Sequence, residues 1–158
     1  PRMQQLATEG IPVTLALSLH APDDELRDEL VPINTRWNVD EVIDAAWEYA
    51  KTTKRRVSIE YILIRDINDQ PSRAELLAKV LRRRGNWGWV HVNLIPMNPI
   101  EASSLGPPPE SRIAAFQSVL TEAGYSCFVR RRRGDDVSAA CGQLVLLGAK
   151  PKVRRALP

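Results

Sequence analysis

The sequence contains few of the residues on which several protein classes depend. Only two of its 158 residues are cysteines, Cys127 and Cys141, which excludes a disulfide-stapled scaffold and any iron–sulfur cluster held by three or four thiolates of this chain alone. No apolar run approaches the roughly 20 residues that a membrane-spanning helix needs. Residues 1–5 do not lead from a basic segment into an apolar core, so neither a membrane protein nor a secretory signal is expected.

What is present is the composition of a globular protein. Hydrophobic residues make up 44% of the chain and charged residues 26%, which excludes disorder and low complexity. The length suffices for one ordinary domain or for a large piece of a bigger one.

Charge is distributed unevenly along the chain. Residues 1–70 hold 8 Lys and Arg against 13 Asp and Glu, whereas residues 71–158 hold 14 against 6. The basic half includes the arginine runs at 82–84 and 130–133 and a tail with four basic residues after position 149. Such clusters predict a surface for phosphate backbones, although solvated helix faces would have the same composition.

Apolar and polar segments alternate in a pattern that predicts four strands, at 13–18, 57–64, 90–95 and 126–131. A helix is predicted between each pair of strands. Gly85 and Gly124 are the expected stops of the second and third helices. The first two helices are each predicted to begin with a capping box, Asn38 with Glu41 and Ser72 with Glu75.

Strand–helix repetition at this spacing predicts right-handed βαβ units and an α/β fold with a parallel sheet. A closed eight-unit barrel needs about 250 residues. The chain can therefore form part of such a barrel or a small open α/β sheet.

In either architecture, ligand-binding groups come from the carboxyl ends of the strands. His91 lies inside the third predicted strand and is expected to be a packed or hydrogen-bonded core histidine. Polar side chains at strand ends can bind a ribose or an amino acid, but they can equally cap neighbouring helices. The candidates are Ser18-Leu19-His20, then Glu60 with the loop 65–69, and finally 96–99, which includes Asn98.

The two cysteines have different surroundings. Cys127 stands in a β-prone segment and is expected to be a small, buried strand residue. Cys141 lies among small residues and glycines, in a segment that could carry a thiol into a site. The arginines at 130–133 favour a thiolate there, whereas Asp135 and Asp136 oppose one. A disulfide between the two cysteines is the plain alternative, although it is not expected in a cytosolic chain.

Five blocks of the sequence occur together, in order, in one enzyme family. They are 15–22, 27–28 with 31–34, 57–61, 92–96 with 98–99, and 133–136 with 139–144. Together they resemble the C-terminal half of the radical S-adenosylmethionine methyltransferases that modify adenine C2 in 23S ribosomal RNA and in transfer RNA. Related C8 methyltransferases share the pattern. The resemblance covers nearly all of residues 6–147 and implies a partial TIM-like barrel of the radical S-adenosylmethionine type.

The resemblance also implies a role for individual residues. Ser18, Leu19, His20 and Asn98 match family positions that contact S-adenosylmethionine. Cys141 matches the methyl carrier, which one cofactor molecule methylates before a radical from a second abstracts hydrogen from that methyl group. Such a device suits adenine because an sp2 carbon is a poorer nucleophile than a thiolate.

The family motif of three cysteines that holds a 4Fe-4S cluster is absent from this sequence. The resemblance therefore implies a fragment, with residues 1–149 forming the C-terminal half of the barrel with its carrier loop and 150–158 a basic tail. We expect a missing N-terminal half to supply the cluster, ribosomal and transfer RNA to be the substrates, and the location to be cytoplasmic. The isolated chain is expected to be inactive.

One alternative belongs to a different functional class. A non-catalytic RNA- or nucleotide-binding α/β module would keep the scaffold and the basic face but would need no thiol at Cys141. A flavodoxin-like phosphate-binding protein is a weaker alternative, because no glycine-rich loop follows the first strand.

Overall fold

The computed structural model describes residues 2–99 and 105–130, in which helices and parallel strands alternate. Over these residues no helix is both long enough and apolar enough to cross a lipid bilayer. Two short 3-10 turns, Pro32–Thr35 and Trp87–Trp89, precede α3 and β3. In chain order the elements are α1 Arg2–Thr8, β1 Ala16–Ser18, α2 Asp24–Leu30, α3 Val39–Thr53, β2 Val57–Leu63, α4 Pro71–Arg82, β3 Val90–Pro96, α5 Glu110–Glu122 and β4 Ser126–Val129.

The four strands form one sheet in the order β1-β2-β3-β4, and every neighbouring pair is parallel. Right-handed crossovers between strands that follow each other in this order place all the connecting helices on one face. A doubly wound sheet would instead reverse its order and carry helices on both faces. The order is that of a barrel wall, so the predicted α/β fold with parallel strands and outer helices is confirmed.

The hydrophobic core lies between the sheet and α3, α4 and α5. Along β3, Val90, Val92 and Leu94 are buried, whereas His91 and Asn93 alternate with them and are half-buried. Alternation of this kind shows that one face of the sheet packs on the helices and that the other is less covered. We call this second face the open face. His91 lies on this face and packs edge-on against the Phe128 ring, so the prediction of a packed histidine is confirmed but its placement in the core is wrong.

The strands at the two edges are shorter than predicted. The first begins at Ala16 and not at Val13, whose carbonyl accepts the hydroxyl of Tyr49 at 2.9 Å. The last ends at Val129. The central strands agree with their predicted bounds to within one residue, since their apolar runs are longer.

Two helices were not predicted, α1 and α2. The sequence between His20 and Asp24 has the polar composition of a loop, but Asp23 caps the amino end of α2. Its side chain accepts the amide of Leu26 at 3.0 Å. A seven-residue helix offers too short a pattern for hydrophobic periodicity to detect.

Gly85, the predicted stop of α4, lies three residues beyond the end of that helix, which ends at Arg82 with Arg83 as its C-cap. The φ of Gly85 is +117°, and a Cβ at this position would lie 3.0 Å from the Trp47 ring. The positive φ and the close approach both favour glycine over other residues here.

One of the two predicted capping boxes forms and the other does not. Asn38 and Glu41 exchange both hydrogen bonds, each at 2.9 Å. The helix expected to start after Ser72 begins two residues earlier, at Pro71, and Ser72 lies inside its first turn. Proline provides this start because its ring fixes a helical φ and its missing amide proton is not needed at the first helical position.

These two exposed sites provide a matched pair of variants. We expect Asn38→Ala to lower the free energy of unfolding by about 1 kcal/mol, because the backbone amide of Glu41 loses its capping partner. Ser72→Ala is expected to cost less than about 0.5 kcal/mol, since no cap depends on it. Urea denaturation of both variants measures the difference. Equal losses would contradict the assignment of the helix starts.

Candidate functional site

Ser18, Leu19 and His20 lie where β1 ends, at the carboxyl edge of the sheet. Ser18 pairs in register with Glu60 on β2. The Leu19 side chain is fully buried, and its amide donates to the Glu60 carbonyl at 3.0 Å. The segment therefore continues the sheet for one residue beyond β1 and brings His20 to the edge.

His20 takes the place of a main-chain group in the ladder. Its backbone is in the left-handed region, with φ +65°, and its Nδ1 accepts the amide of Ile62 at 3.1 Å. Since Nδ1 accepts, the proton of the neutral ring is on Nε2, which is available as a donor. Burial lowers the pKa of His20, as does the charge of Arg27, while Glu60 acts in the opposite direction. The site thus presents a neutral N–H group, which does not repel a cationic ligand.

Asn68 fixes this edge from the loop that follows β2. Its side chain is fully buried and donates from Nδ2 to the carbonyls of His20 and Ile62, at 2.9 and 2.7 Å. Its Oδ1 accepts the amide of Ile64 at 2.7 Å. One carboxamide therefore joins the carboxyl ends of β1 and β2.

A row of polar side chains crosses the open face at the level of Ser18. Ser18, Glu60 and Asn93 are paired in register across three strands. One oxygen of Glu60, Oε1, accepts from Asn93 at 2.9 Å and from the Ser58 hydroxyl at 2.5 Å. Glu60 was a candidate from the sequence, whereas Ser58 and Asn93 were not. Strict alternation along β2 and β3 would have been the signal that assigns all three to one face.

The third predicted location follows β3 at the same edge. The Met97 amide donates to the carbonyl of Leu63 at 2.9 Å, which extends the pairing of β2 and β3. Asn98 comes next and is half-buried. Because β1 and β3 flank β2, the structure brings Ser18-Leu19-His20 and Asn98 to one edge, with the loop after β2 between them.

Of the two cysteines, only Cys127 lies among the residues that the structure describes. Cys127 lies in β4 as predicted, but it is half-buried and not buried. Burial raises its pKa to about 12, which makes it a poor nucleophile. Cys141 and the tail 150–158 lie outside the described residues.

The residues present do not fit an iron–sulfur cluster. In the part of the chain that the structure describes, no group of three or more His, Cys, Asp or Glu side chains could hold a metal ion. With two cysteines in the whole sequence, the chain also lacks the three thiolates that such a cluster would need. S-Adenosylmethionine fits better, since its hydroxyl and ammonium groups can bond to His20 and to the row containing Glu60.

A cleft of about 640 Å³ lies elsewhere, between α5 and the ends of β3 and β4. Its walls include Pro96, Pro108, Ile113 and Arg130. None of the polar residues of the open face lines it, so it is not the candidate site.

Comparison with known proteins identifies homologues. No protein-family model matches the chain. The chain is 61% identical over 158 residues to the dual-specificity RNA methyltransferase RlmN of Sorangium cellulosum, covering 99% of this chain and 40% of that protein. A probable dual-specificity RNA methyltransferase of Cutibacterium acnes is 57% identical over 94% of this chain and 36% of its own length.

A solved structure agrees with these relatives. The crystal structure of a radical SAM methyltransferase from Sphaerobacter thermophilus matches with a TM-score of 0.84 and 48% identity, over 90% of this chain and 41% of that chain. The resemblance predicted from the sequence blocks is thus confirmed. The chain spans about 40% of the length of the curated relative that it matches at 61% identity.

Proposed function

We propose that this chain, a homologue of the dual-specificity RNA methyltransferases, is part of a radical S-adenosylmethionine enzyme that methylates adenine C2 in 23S ribosomal RNA and transfer RNA. The identity of 61% over 99% of the chain carries the proposal. The alternative of a non-catalytic binding module has no such support.

In this proposal the carboxyl edge binds the cofactor. His20 donates from Nε2, and its low pKa keeps the ring neutral beside a cationic sulfonium. Ser18 and Asn98 offer hydroxyl and carboxamide groups from the flanking strands. The carboxylate of Glu60 lies on the open face between them and suits a ligand with a positive charge or a diol.

Cys141 is proposed to carry the methyl group on its sulfur. S-Adenosylmethionine, when bound, supplies the methyl group and, at a 4Fe-4S cluster, the radical chemistry. The thiolates for that cluster must come from protein outside this sequence, because this chain does not contain them. The substrates are thus ribosomal and transfer RNA, and the proposed location is the cytoplasm.

The proposal can be tested in a hybrid protein in which this chain replaces the matching segment of its Sorangium cellulosum relative. After anaerobic reconstitution with iron, sulfide and S-adenosylmethionine, peptide mass spectrometry should find a one-carbon adduct on Cys141. Cys127 is the internal control, because its raised pKa keeps it a thiol and it should stay unmodified.

An unmodified Cys141 in a folded, cluster-loaded hybrid would contradict the carrier role. Retained RNA binding in that case would favour the non-catalytic module. An adduct on both cysteines would show non-specific alkylation and would equally contradict the proposal.

A further inference from the structure

Arg27 is a buried cation directly behind the candidate site. It lies on α2, and only 3% of its surface is exposed. Its Nε donates to the Leu19 carbonyl at 3.0 Å and its Nη2 to the Ser18 carbonyl at 3.3 Å. One guanidinium thus bonds to two successive carbonyls of the candidate cofactor-binding segment.

The Leu19 carbonyl would have a different partner in a regular parallel ladder. Each residue there donates to one neighbour-strand carbonyl and accepts the amide two residues further on. Leu19 makes the first bond, to Glu60, so its carbonyl should accept the amide of Ile62. That amide instead donates to Nδ1 of His20. Arg27 therefore donates to the Leu19 carbonyl in place of the Ile62 amide, and His20 accepts that amide in place of the Leu19 carbonyl.

A second buried side chain, Asn34, fixes the position of Arg27. Nη1 of Arg27 donates to the carboxamide oxygen of Asn34, which is 3% exposed. The Asn34 Nδ2 in turn donates to Asp24 at 3.0 Å and to Asp28 at 2.6 Å. The two carboxylates provide the negative charge that a buried guanidinium requires.

Asp24 also connects this network to the neighbouring helix. Its Oδ1 accepts the amide of Val39, the first residue of α3, at 2.7 Å. The guanidinium is consequently fixed by α2, by the 3-10 turn that carries Asn34 and by the start of α3. A planar fork held in this way can address two carbonyls at once, which a lysine ammonium cannot do with the same geometry.

We propose that Arg27 is a positioning residue for the cofactor: by taking the Leu19 carbonyl out of the ladder, it lets the His20 ring occupy the Ile62 amide and present Nε2 at the carboxyl edge. The inference rests on the proposed function for the identity of the ligand. It assigns a role to the blocks 27–28 and 31–34, for which sequence analysis predicted none.

The test compares Arg27→Gln with a matched control, Arg84→Gln, in the hybrid protein. Arg84 is also largely buried and ion-paired, with Asp40 and Asp44 on α3, but it has no bond to the segment 18–20. We expect Arg27→Gln to weaken binding of S-adenosylmethionine about tenfold or more, because the Leu19 carbonyl returns to the ladder and displaces His20. Arg84→Gln should bind as the unaltered hybrid does.

A second measurement does not depend on the cofactor. It is made on this chain by itself, which has two histidines, so an NMR titration of selectively labelled rings resolves His20 and His91. The charged groups acting on His20 are Arg27 and Glu60, while those acting on His91 are Arg56 and Glu60. In Arg27→Gln, the pKa of His20 should rise and its Nδ1 should lose the acceptor signature, whereas His91 should not change.

The outcomes separate the two proposals. Failure of the unaltered hybrid to bind S-adenosylmethionine would refute the proposed function, while the histidine titration would still decide the role of Arg27. A folded Arg27→Gln with unchanged affinity and unchanged His20 signals would overturn the positioning role. If Arg27→Gln does not fold, Arg27→Lys is measured in the same way. That variant keeps the charge but not the planar fork. Unchanged affinity with an unchanged His20 tautomer would overturn the role, whereas weaker binding with a changed tautomer would support it.

Discussion

Methylation of RNA by the hybrid is expected to disappear when Cys141 is replaced by alanine. The adenine carbon is a poor nucleophile, so transfer through the protein requires a sulfur, and Cys141→Ala leaves none at the proposed carrier position. We expect turnover to fall by a factor on the order of 10³ or more, as when a catalytic nucleophile is deleted. The dissociation constant for S-adenosylmethionine should stay the same, because the proposed contacts at Ser18, Leu19 and His20 are unaltered.

Cys127→Ala is the matched control for this prediction. Its thiol is half-buried in β4, and burial raises its pKa to about 12. The variant should therefore keep turnover within about twofold of the hybrid, since a surface or strand substitution of this size is mild. Methylated adenine is measured by mass spectrometry of digested RNA. Substantial turnover in Cys141→Ala would disprove the carrier role, whereas loss in both variants would indicate a general effect on folding.

Local signals in the sequence predicted the scaffold well. The long apolar runs of β2 and β3 specify central strands, and the box of Asn38 and Glu41 specifies the start of α3. The same kind of signal was misleading at Ser72. There Pro71 offers an earlier helix start, and a pattern of capping residues cannot rank one start against the other.

Sequence analysis predicted which residues lie at the edge of the sheet, but not which residues hold them there. Ser18, His20 and Asn98 could be placed at strand ends because parallel strands share a carboxyl edge. Arg27 and Asn68 could not be identified as their supports. The bonds that matter join residues 8 to 48 positions apart, such as Arg27 to Leu19 and Asn68 to His20. The bonds of Arg27 depend on the packing of α2, which has no detectable periodicity, and those of Asn68 depend on the loop that follows β2.

Where β1 ends, side chains replace main-chain groups as hydrogen-bond partners. The His20 ring accepts an amide of β2, Arg27 donates to the Leu19 carbonyl just beyond β1, and Asn68 donates to the carbonyls of His20 and Ile62. These bonds satisfy the main-chain amide and carbonyls that the ladder leaves without main-chain partners. They also leave Nε2 of His20 free to face the edge. The edge can thus be rigid and still present His20 in a left-handed conformation that the ladder alone would not support.

Asn68→Ala is expected to lower the free energy of unfolding by about 3–5 kcal/mol. The change removes one buried and two partly buried hydrogen bonds, and it leaves the amide of Ile64 and the carbonyls of His20 and Ile62 without these partners. Each unsatisfied buried group costs about 1–3 kcal/mol. Water can recover part of this loss at His20, which is only half-buried, so the sum stays below the upper bound.

Asn86→Ala serves as the control, because Asn86 is exposed and makes no side-chain cap for the turn that follows it. Its cost should be within about 0.5 kcal/mol of zero. Urea denaturation of the hybrid gives both values, and binding of S-adenosylmethionine is measured on whatever fraction of Asn68→Ala folds. A loss below about 1 kcal/mol, which is the worth of one ordinary hydrogen bond, would contradict a role for Asn68 in holding β1 and β2 together. A stability loss of the expected size with unchanged cofactor affinity would confine Asn68 to the scaffold and leave the orientation of His20 to Arg27.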